Sequence, residues 1–374
     1  MTTLAWKNLF HDKVRLSVTL TGIVFALVLI VVQFGLFLGF LETSANIVEH
    51  SGADIWIAAP GIPHVNGGAA MPESRRYKAL EVRGVARVDK FLLVFSTWKL
   101  PRGSQETVQI TGFDPDGRMG GPWNVVQGSI DDVRADDAVL IDELFREKLG
   151  VSRIGDTVEI AGHRARVAGF TRGIRSFTTA PYIYTSFKNA LNYTRLNEDQ
   201  TLFLLVRAQP GVDIADLKRR LAAAVPGVDI YTNAEMVRKT QTYWVFRTGA
   251  GVTTLMGAVL GLLVGLVVVA QTIYAATVDH IREFGTLKAM GARNRYIYRV
   301  IVEQALLSAF MGYAVAITIG LLIVRGNANG TTEILLPPQM VAGTLALAVI
   351  MCVAASIISI RKATDIDPAL VFKG

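Results

Sequence analysis

The side chains able to do chemistry are few in this sequence and scattered along it. No GxxxxGK[ST] phosphate loop, no HExxH pair and no Gly-x-Ser-x-Gly elbow occurs. Neither P-loop nucleotide binding nor a zinc- or serine-hydrolase site is therefore spelled out. His50, His64 and His163 stand far apart, and His11 and His280 sit beside apolar runs. His50 and His64 flank a Gly/Pro-rich stretch, where they could touch an iron porphyrin, but a lone histidine is more often satisfied or exposed than a ligand. Asp131-Asp132 and Asp136-Asp137 read as solvated loop carboxylates. The single cysteine, Cys352, lies inside an apolar run and rules out both an intramolecular disulfide and a multi-cysteine metal site. No catalytic constellation emerges, so the chain is expected to be no enzyme, with no metal and no cofactor of its own.

The densest cluster of functional side chains is instead basic. Thr277 to Leu307 reads TVDHIREFGTLKAMGARNRYIYRVIVEQALL, where Arg282, Lys288, Arg293, Arg295 and Arg299 outnumber Asp279, Glu283 and Glu303. Between two apolar spans, such an excess marks a cytoplasmic loop. Gly285 and Gly291 interrupt it, which predicts two short helices around a bend. A cytoplasmic helical hairpin is well placed to meet a soluble partner, although topology alone would also account for the charge.

The rest of the composition says what must position that loop. Of 374 residues, 51% are hydrophobic and 18% charged, with mean hydropathy +0.38, against roughly 25% charged in a soluble domain. The net charge of +7 does not point to nucleic acid, because no basic stripe interleaved with aromatics appears and many cations flank apolar runs. Uncharged runs lie between Arg15 and Glu42, Arg247 and Asp279, Glu303 and Arg325, and Glu333 and Arg361. Each reaches the roughly 20 residues needed to cross hydrocarbon. Lys7, Lys13 and Arg15 precede the first with only Asp12 opposing, which puts the N-terminus inside, and alternation puts the 277–307 loop and the tail inside too. No ionisable residue sits mid-span, which argues against a proton-coupled carrier and against a hydrophilic conduit through the helices.

The expected order is then an interfacial elbow helix over 1–15, spans over 16–41, 248–278, 304–324 and 334–360, a cytoplasmic loop over 279–303, a short external loop over 325–333 and a cytoplasmic tail over 361–374. Gly35 and Gly39 in the first span, and Gly257, Gly261 and Gly265 in the second, have the four-residue spacing that lets helices approach closely. They suggest a packed centre, either within one chain or as a homodimer seam. The external region, 42–247, starts with strand candidate Ala53–Ala58 and a Gly/Pro loop from Pro60 to Pro72 that reads as mobile or contact-making. Strand patterns follow at Arg87–Phe95 and Glu106–Gly112, and Asp114-Pro115-Asp116-Gly117 is a turn. A β-rich lobe of about 125–195 reads as an insertion, after which Thr201–Arg207, Ile214–Ala224 and Val228–Tyr231 read as strand, helix and strand. Thr232 with Glu235 forms a capping-box pattern, predicting one continuous helix through Arg247 into the second span. The fold class is a four-span helical membrane bundle plus a large external α+β domain carrying an inserted β-rich lobe.

The order of residues in the basic loop is more specific than its charge. Arg282-Glu283-Phe284-Gly285 followed by Leu287-Lys288-Ala289-Met290-Gly291-Ala292, then Glu303-Gln304-Ala305-Leu306-Leu307, resembles the signature of the FtsX/MacB-type (type VII) ABC transporter permeases. Ala5-Trp6-Lys7-Asn8-Leu9 near the start, and Arg361-Lys362-Ala363 with Ile366-Asp367-Pro368-Ala369-Leu370 at the end, resemble the family's two terminal signatures, so the resemblance spans most of the chain. It implies that Arg282, Glu283, Phe284, Gly285, Leu287, Lys288, Gly291, Ala292, Arg293, Asp367 and Pro368 dock on a separate ABC ATPase subunit, which binds ATP and Mg. It also implies a homodimer in the bacterial inner membrane and a MacB-like periplasmic domain moved by mechanotransmission. MacB carries its ATPase on the same polypeptide; this sequence departs from that pattern and is nearer to LolC, FtsX and DevC.

The first external lobe, with Tyr77-Lys78-Ala79-Leu80, Gly84-Val85, Trp98-Lys99 and Gly112-Phe113-Asp114-Pro115, looks most like DevC-like permease subunits. That likeness implies export of a lipid, glycolipid or small amphiphile through a membrane-fusion adaptor and a TolC-type outer-membrane channel. Alternatives of the same fold are a haem or small-amphiphile exporter with a lateral membrane site, and an FtsX-like regulator that transports nothing and controls a cell-wall hydrolase.

Overall fold

A computed structural model describes residues 13–279, 286, 290, 292–327 and 330–364. The elbow segment up to residue 12, His11, His280, most of the basic loop and the Asp367-Pro368 tail lie outside the described residues.

The chain divides into two units. One holds the described parts of Met1–Leu38, Val252–Ala328 and Ile334–Gly374, and the other holds those of Gly39–Gly251 and Asn329–Glu333. The first unit is helical. Its elements are α1 (Lys13–Glu49, whose end passes into the second unit), α7 (Ala250–Asp279), α8 (Asn294–Gly326) and α9 (Pro338–Thr364). Each is long and apolar enough to cross a membrane. Hydrocarbon offers no partner for peptide groups, so such runs must satisfy their own backbone as helices. The core of this unit is built from small residues, with Ala26, Ala305, Ala309, Ala316, Ala348 and Ala355 surrounding Ile23, Leu27 and Met351. Small side chains are what allow backbones to close without a hydrophobic driving force between helices.

The spaced glycines of α7 meet α1 of the same chain. A Cβ on Gly257 would lie 3.0 Å from the Gln33 side chain, one on Gly261 3.1 Å from Leu29, and one on Gly265 2.5 Å from Ala26. Gly35 does not face α7. A Cβ there would meet the Leu335 carbonyl at 2.8 Å and Ile334 at 2.9 Å, and the Leu335 amide donates to the Gly35 carbonyl at 3.1 Å. The close approach at these glycines is filled by the chain's own atoms.

The second unit is an α+β domain. In chain order its strands are β1 (Ile55–Ala58), β2 (Met71–Pro72), β3 (Val85–Lys99), β4 (Gln105–Phe113), β5 (Val125–Gln127), β6 (Ala138–Asp142), β7 (Thr157–Ile160), β8 (His163–Thr171), β9 (Tyr182–Ser186), β10 (Gln200–Thr201), β11 (Phe203–Ala208) and β12 (Asp229–Thr232). Its helices are α2 (Arg75–Leu80), α3 (Arg146–Leu149), α4 (Phe187–Asn192), α5 (Ile214–Ala224) and α6 (Asn233–Thr242). Ten strands form one mixed sheet in the order β12-β1-β11-β3-β4-β9-β6-β8-β5, with β7 bridging β3 and β8, and β2 pairs β10 separately.

The inserted lobe is thus not a separate sheet. The long β3–β4 hairpin extends beyond the first lobe, and the parallel pairing of β4 with β9 (Gln109↔Tyr182 to Phe113↔Ser186) carries the hydrogen-bond ladder across. Trp56, Phe91 and Phe203 pack edge to face in the core, with centroids 5.5 and 5.4 Å from the Trp56 ring. The turn after β4 needs its glycine, because a Cβ on Gly117 would fall 1.6 Å from the buried Asp89 carboxylate, which Arg87 holds at 2.6 Å.

Two expectations are corrected here. The Pro60–Pro72 stretch is folded into the domain, with Ile62, His64, Val65 and Met71 buried, because its backbone and side chains find partners there. Nor is the helix from Thr232 continuous. Thr232 and Glu235 do form the capping box at the head of α6, but the chain then passes through a π-helical turn, Tyr243–Arg247. Gly249, at φ +77°, ends it before α7 begins at Ala250. That left-handed conformation is open to glycine at little cost and terminates a helix.

Candidate functional site: a collar at the base of the α+β domain

The loop between β8 and β9, residues 172–181, is where the α+β unit gathers the chain segments that lead into or out of the four long helices. Two buried polar residues shape it. Asp142, at the end of β6 and 1% exposed, accepts from the Leu144 amide at 3.0 Å, the Thr171 hydroxyl at 2.9 Å and the Ile174 amide at 2.7 Å. Burial pushes its carboxyl above the usual carboxylate range, and these amides and the hydroxyl pull it back. Gln109, on β4 and fully buried, donates to Ser176 Oγ at 2.7 Å, Thr178 Oγ1 at 3.1 Å and the Ala180 carbonyl at 3.3 Å. Its own carbonyl accepts from Asn66 at 2.6 Å, which joins the Gly/Pro stretch to the same loop.

The loop so fixed presents Arg175 and Phe177. Arg175 Nε donates to the Gly330 carbonyl at 3.0 Å and Nη1 to Glu333 Oε1 at 3.2 Å, while its own carbonyl accepts from Asn46 Nδ2 at 2.6 Å. The pair is largely shielded, with side chains 13% and 23% exposed. Burial, and after it the Glu42 carboxylate, raise the Glu333 carboxyl above its ordinary range against the lowering pull of the Arg175 guanidinium. Burying two charges costs desolvation that their attraction must offset, so a shielded pair of this kind is better evidence for fixed positions than for stability. Phe177 lies edge-on to Phe40 at 5.5 Å and against Trp244 at 4.4 Å. Gln241 donates to the Leu41 carbonyl at 3.1 Å. Gly39 lets the 330–333 segment lie directly on α1, since a Cβ there would be 2.1 Å from the Glu333 carbonyl oxygen.

Four segments thus share one set of contacts. They are the end of α1, the 172–181 loop, the α6–π lead-in to α7, and the stretch between α8 and α9. No group of three His, Cys, Asp or Glu placed to hold a metal occurs among the described residues. What this arrangement does is hold the four segments together.

His64 belongs to the same collar. It is 8% exposed and packs on Tyr243 at 4.2 Å and Trp244 at 4.9 Å, too enclosed to receive a porphyrin. His50 instead stacks on Trp123 at 4.2 Å. Burial lowers the pKa of His64, opposed by a weaker raising effect from Asn66. A depressed folded-state pKa means stability is intact above the ordinary histidine value of about 6.5 and is lost as pH falls through the folded value. On acidification below about 6.5 the full chain should therefore lose more thermal stability than His64→Gln does. Parallel melting curves for the two proteins across that window would remove this role.

Of the residues singled out from sequence, Ala292 is half-buried and Arg293 precedes α8 as its N-cap without a capping hydrogen bond. Arg282, Glu283, Phe284, Gly285, Leu287, Lys288, Gly291, Asp367 and Pro368 lie outside the described residues. Sequence reasoning missed Arg175, Phe177, Asn46, Gln109 and Asp142 altogether and used Glu333 only as the edge of a span. No local signal could have paired Arg175 with Glu333 across 158 positions.

These features define a multi-pass membrane protein whose long helices carry one α+β domain between the first and second. Residues 16–224 match the MacB-like periplasmic core domain, and residues 255–368 match the FtsX-like permease C-terminal domain. The chain belongs to the FtsX/MacB-type ABC transporter permeases. It is 23% identical over 368 residues to an uncharacterised ABC transporter permease of Mycobacterium bovis, covering 97% of this chain and 96% of that one. A shorter match, 30% identical over 124 residues, covers 33% of this chain and 19% of the pyoverdine export ATP-binding/permease protein PvdT of Pseudomonas entomophila. Among solved structures, the periplasmic region of MacB from Actinobacillus actinomycetemcomitans aligns at 15% identity and TM-score 0.39, over 52% of this chain and 96% of that one.

Proposed function

We propose that this chain is the permease subunit of an ABC exporter, non-catalytic itself and driven by a separate ATPase subunit that binds ATP and Mg. In this reading two copies sit in the bacterial inner membrane with their termini in the cytoplasm. ATPase closure pushes on Arg282–Ala292 and on the tail near Asp367-Pro368. The long helices pass the movement to the periplasmic domain, which drives a lipid, glycolipid or small amphiphile through a membrane-fusion adaptor and a TolC-type channel. The observation that carries the reading is the collar, because Arg175, Glu333, Phe177 and Trp244 link the domain to the segments bordering the long helices. The uncharged spans support it as well, since they offer a charged cargo no polar path. PvdT, by its name a pyoverdine exporter, supports export as the activity.

The test is mass spectrometry of envelope lipids and released small molecules, with and without this chain, beside a strain whose partner ATPase cannot hydrolyse ATP. Retention of one amphiphile in both defective strains is the expected result. Altered cell-wall fragments with nothing retained would replace the exporter by an FtsX-like regulator. In the same assay, Glu283→Lys or Gly291→Phe should cut export by about tenfold, within the usual range of coupling energies, while ATP hydrolysis and insertion persist. Normal export by both variants would take the loop out of the mechanism.

A further inference from the structure

The helical unit contains a groove that its own side chains do not fill. It has a volume of about 470 Å³ and runs between α1 and α9, with Ile30, Phe34 and Leu38 on one wall and Met340, Gly343 and Leu347 on the other. The first wall follows one face of a helix at four-residue steps and the second does so at three- and four-residue steps, so the groove extends along the helices for roughly 12 Å. It is open at the side, because Phe34 is 37% exposed and Gly343 is exposed with nothing within 4 Å of where its Cβ would stand.

Water is a poor occupant. The Thr344 hydroxyl in the wall donates its one proton to the Met340 carbonyl at 2.8 Å and can only accept, whereas a water needs two to four polar partners. Among the lining residues only Gln339, exposed at one end, offers another polar side chain. An unfilled slot would forfeit dispersion contacts along both walls. Between spanning helices the surrounding medium is hydrocarbon, and its flexible apolar unit is the alkyl chain.

We propose that this groove is a binding site for one acyl chain of a membrane lipid, which enters sideways between α1 and α9. The long, narrow, apolar shape suits a single chain lying parallel to the helices, and Gln339 is the lining side chain free to donate to a polar group. Gly343 keeps the slot open, since any larger side chain there would occupy it. The site does not depend on lipid being the exported cargo.

Photocrosslinking tests this with the full chain in nanodiscs, using a phosphatidylcholine that carries a diazirine on one acyl chain. Labelled peptides are expected from the Ile30–Leu38 and Met340–Leu347 stretches. In Gly343→Phe the labelling should fall by about tenfold, a decade in occupancy, while Ile350→Phe, an exposed position on the same helix outside the groove, should label like the unaltered protein. Gly343→Phe replaces a poor helix former at a position with open space, so its fold should persist, and an unchanged melting curve checks this. Leu347→Trp, which intrudes from deeper in the same wall, should act in the same direction. Equal labelling of all four proteins would overturn the proposal, as would label confined to peptides outside the groove. Gly343→Phe turning a dimer into monomers, without changing lipid label, would assign the groove to a second copy of the chain and overturn it too.

Discussion

Arg175→Glu and Glu333→Arg should each reduce export by about tenfold or more, with ATP hydrolysis retained, and the double exchange should recover a substantial part of the loss. The basis is the shielded contact between these side chains at 3.2 Å, 13% and 23% exposed. Removing one partner of such a pair leaves a charge with little water to solvate it, at a cost of up to about 3 kcal/mol. Reversal adds repulsion to that. The exchange restores the attraction, but not the bond from Arg175 Nε to the Gly330 carbonyl, so recovery should be partial. Because burial and the Glu42 carboxylate already raise the Glu333 carboxyl against the pull of Arg175, losing the guanidinium should raise it further, and Arg175→Met should make export more acid-sensitive. Full export by both single variants would show that the collar transmits nothing through this pair.

Gly39→Ala is the second large effect. One added methyl would stand 2.1 Å from the Glu333 carbonyl oxygen and 2.7 Å from its carbon, and both are backbone atoms that cannot rotate aside. Either α1 or the 330–333 stretch must move, with a loss of about 1–3 kcal/mol and displacement of Glu333 from Arg175. Melting of the full chain should show the loss, and export should fall with it. Gly343→Ala is the internal comparison, because its Cβ meets nothing and the helix should gain up to about 1 kcal/mol from the better helix former. If the two substitutions behaved alike, contact at Gly39 would not be the cause.

Both effects arise where local sequence was silent, and the contrast with what was legible is instructive. Ile214–Ala224 was readable as a helix to the residue, since Asp213 caps it through the Ala215 and Asp216 amides. The β4 strand was readable within a residue at each end, because apolar periodicity and turn chemistry act over a few positions. The spans were legible for a different reason. Hydrocarbon permits almost nothing but helix, so an uncharged run of sufficient length decides its own structure. The family was legible too, from the order of residues at the two ends and in the basic loop.

What local pattern could not give was the partner of each pattern. The continuation of the sheet from β4 to β9 is a parallel pairing between strands about seventy residues apart, and parallel neighbours need a crossover that leaves no turn motif to read. The expected continuous stalk failed at Gly249, where one left-handed residue ended the helix within a sequence otherwise apt for it. The glycines of α1 and α7 announced close approach by their spacing. Only the tertiary structure decided that Gly257, Gly261 and Gly265 lie on α1, whereas Gly35 and Gly39 lie under the 333–335 backbone.

By itself, then, the sequence determined that this chain crosses a membrane as helices, carries one α+β domain and belongs with ABC permeases, because each of those follows from composition and order along the chain. The tertiary structure alone decided that Arg175 meets Glu333, that Asp142 and Gln109 shape the loop between them, and that α1 and α9 leave an apolar groove. Such contacts depend on which surfaces come together after the elements have formed, and no property of a short stretch encodes its distant partner.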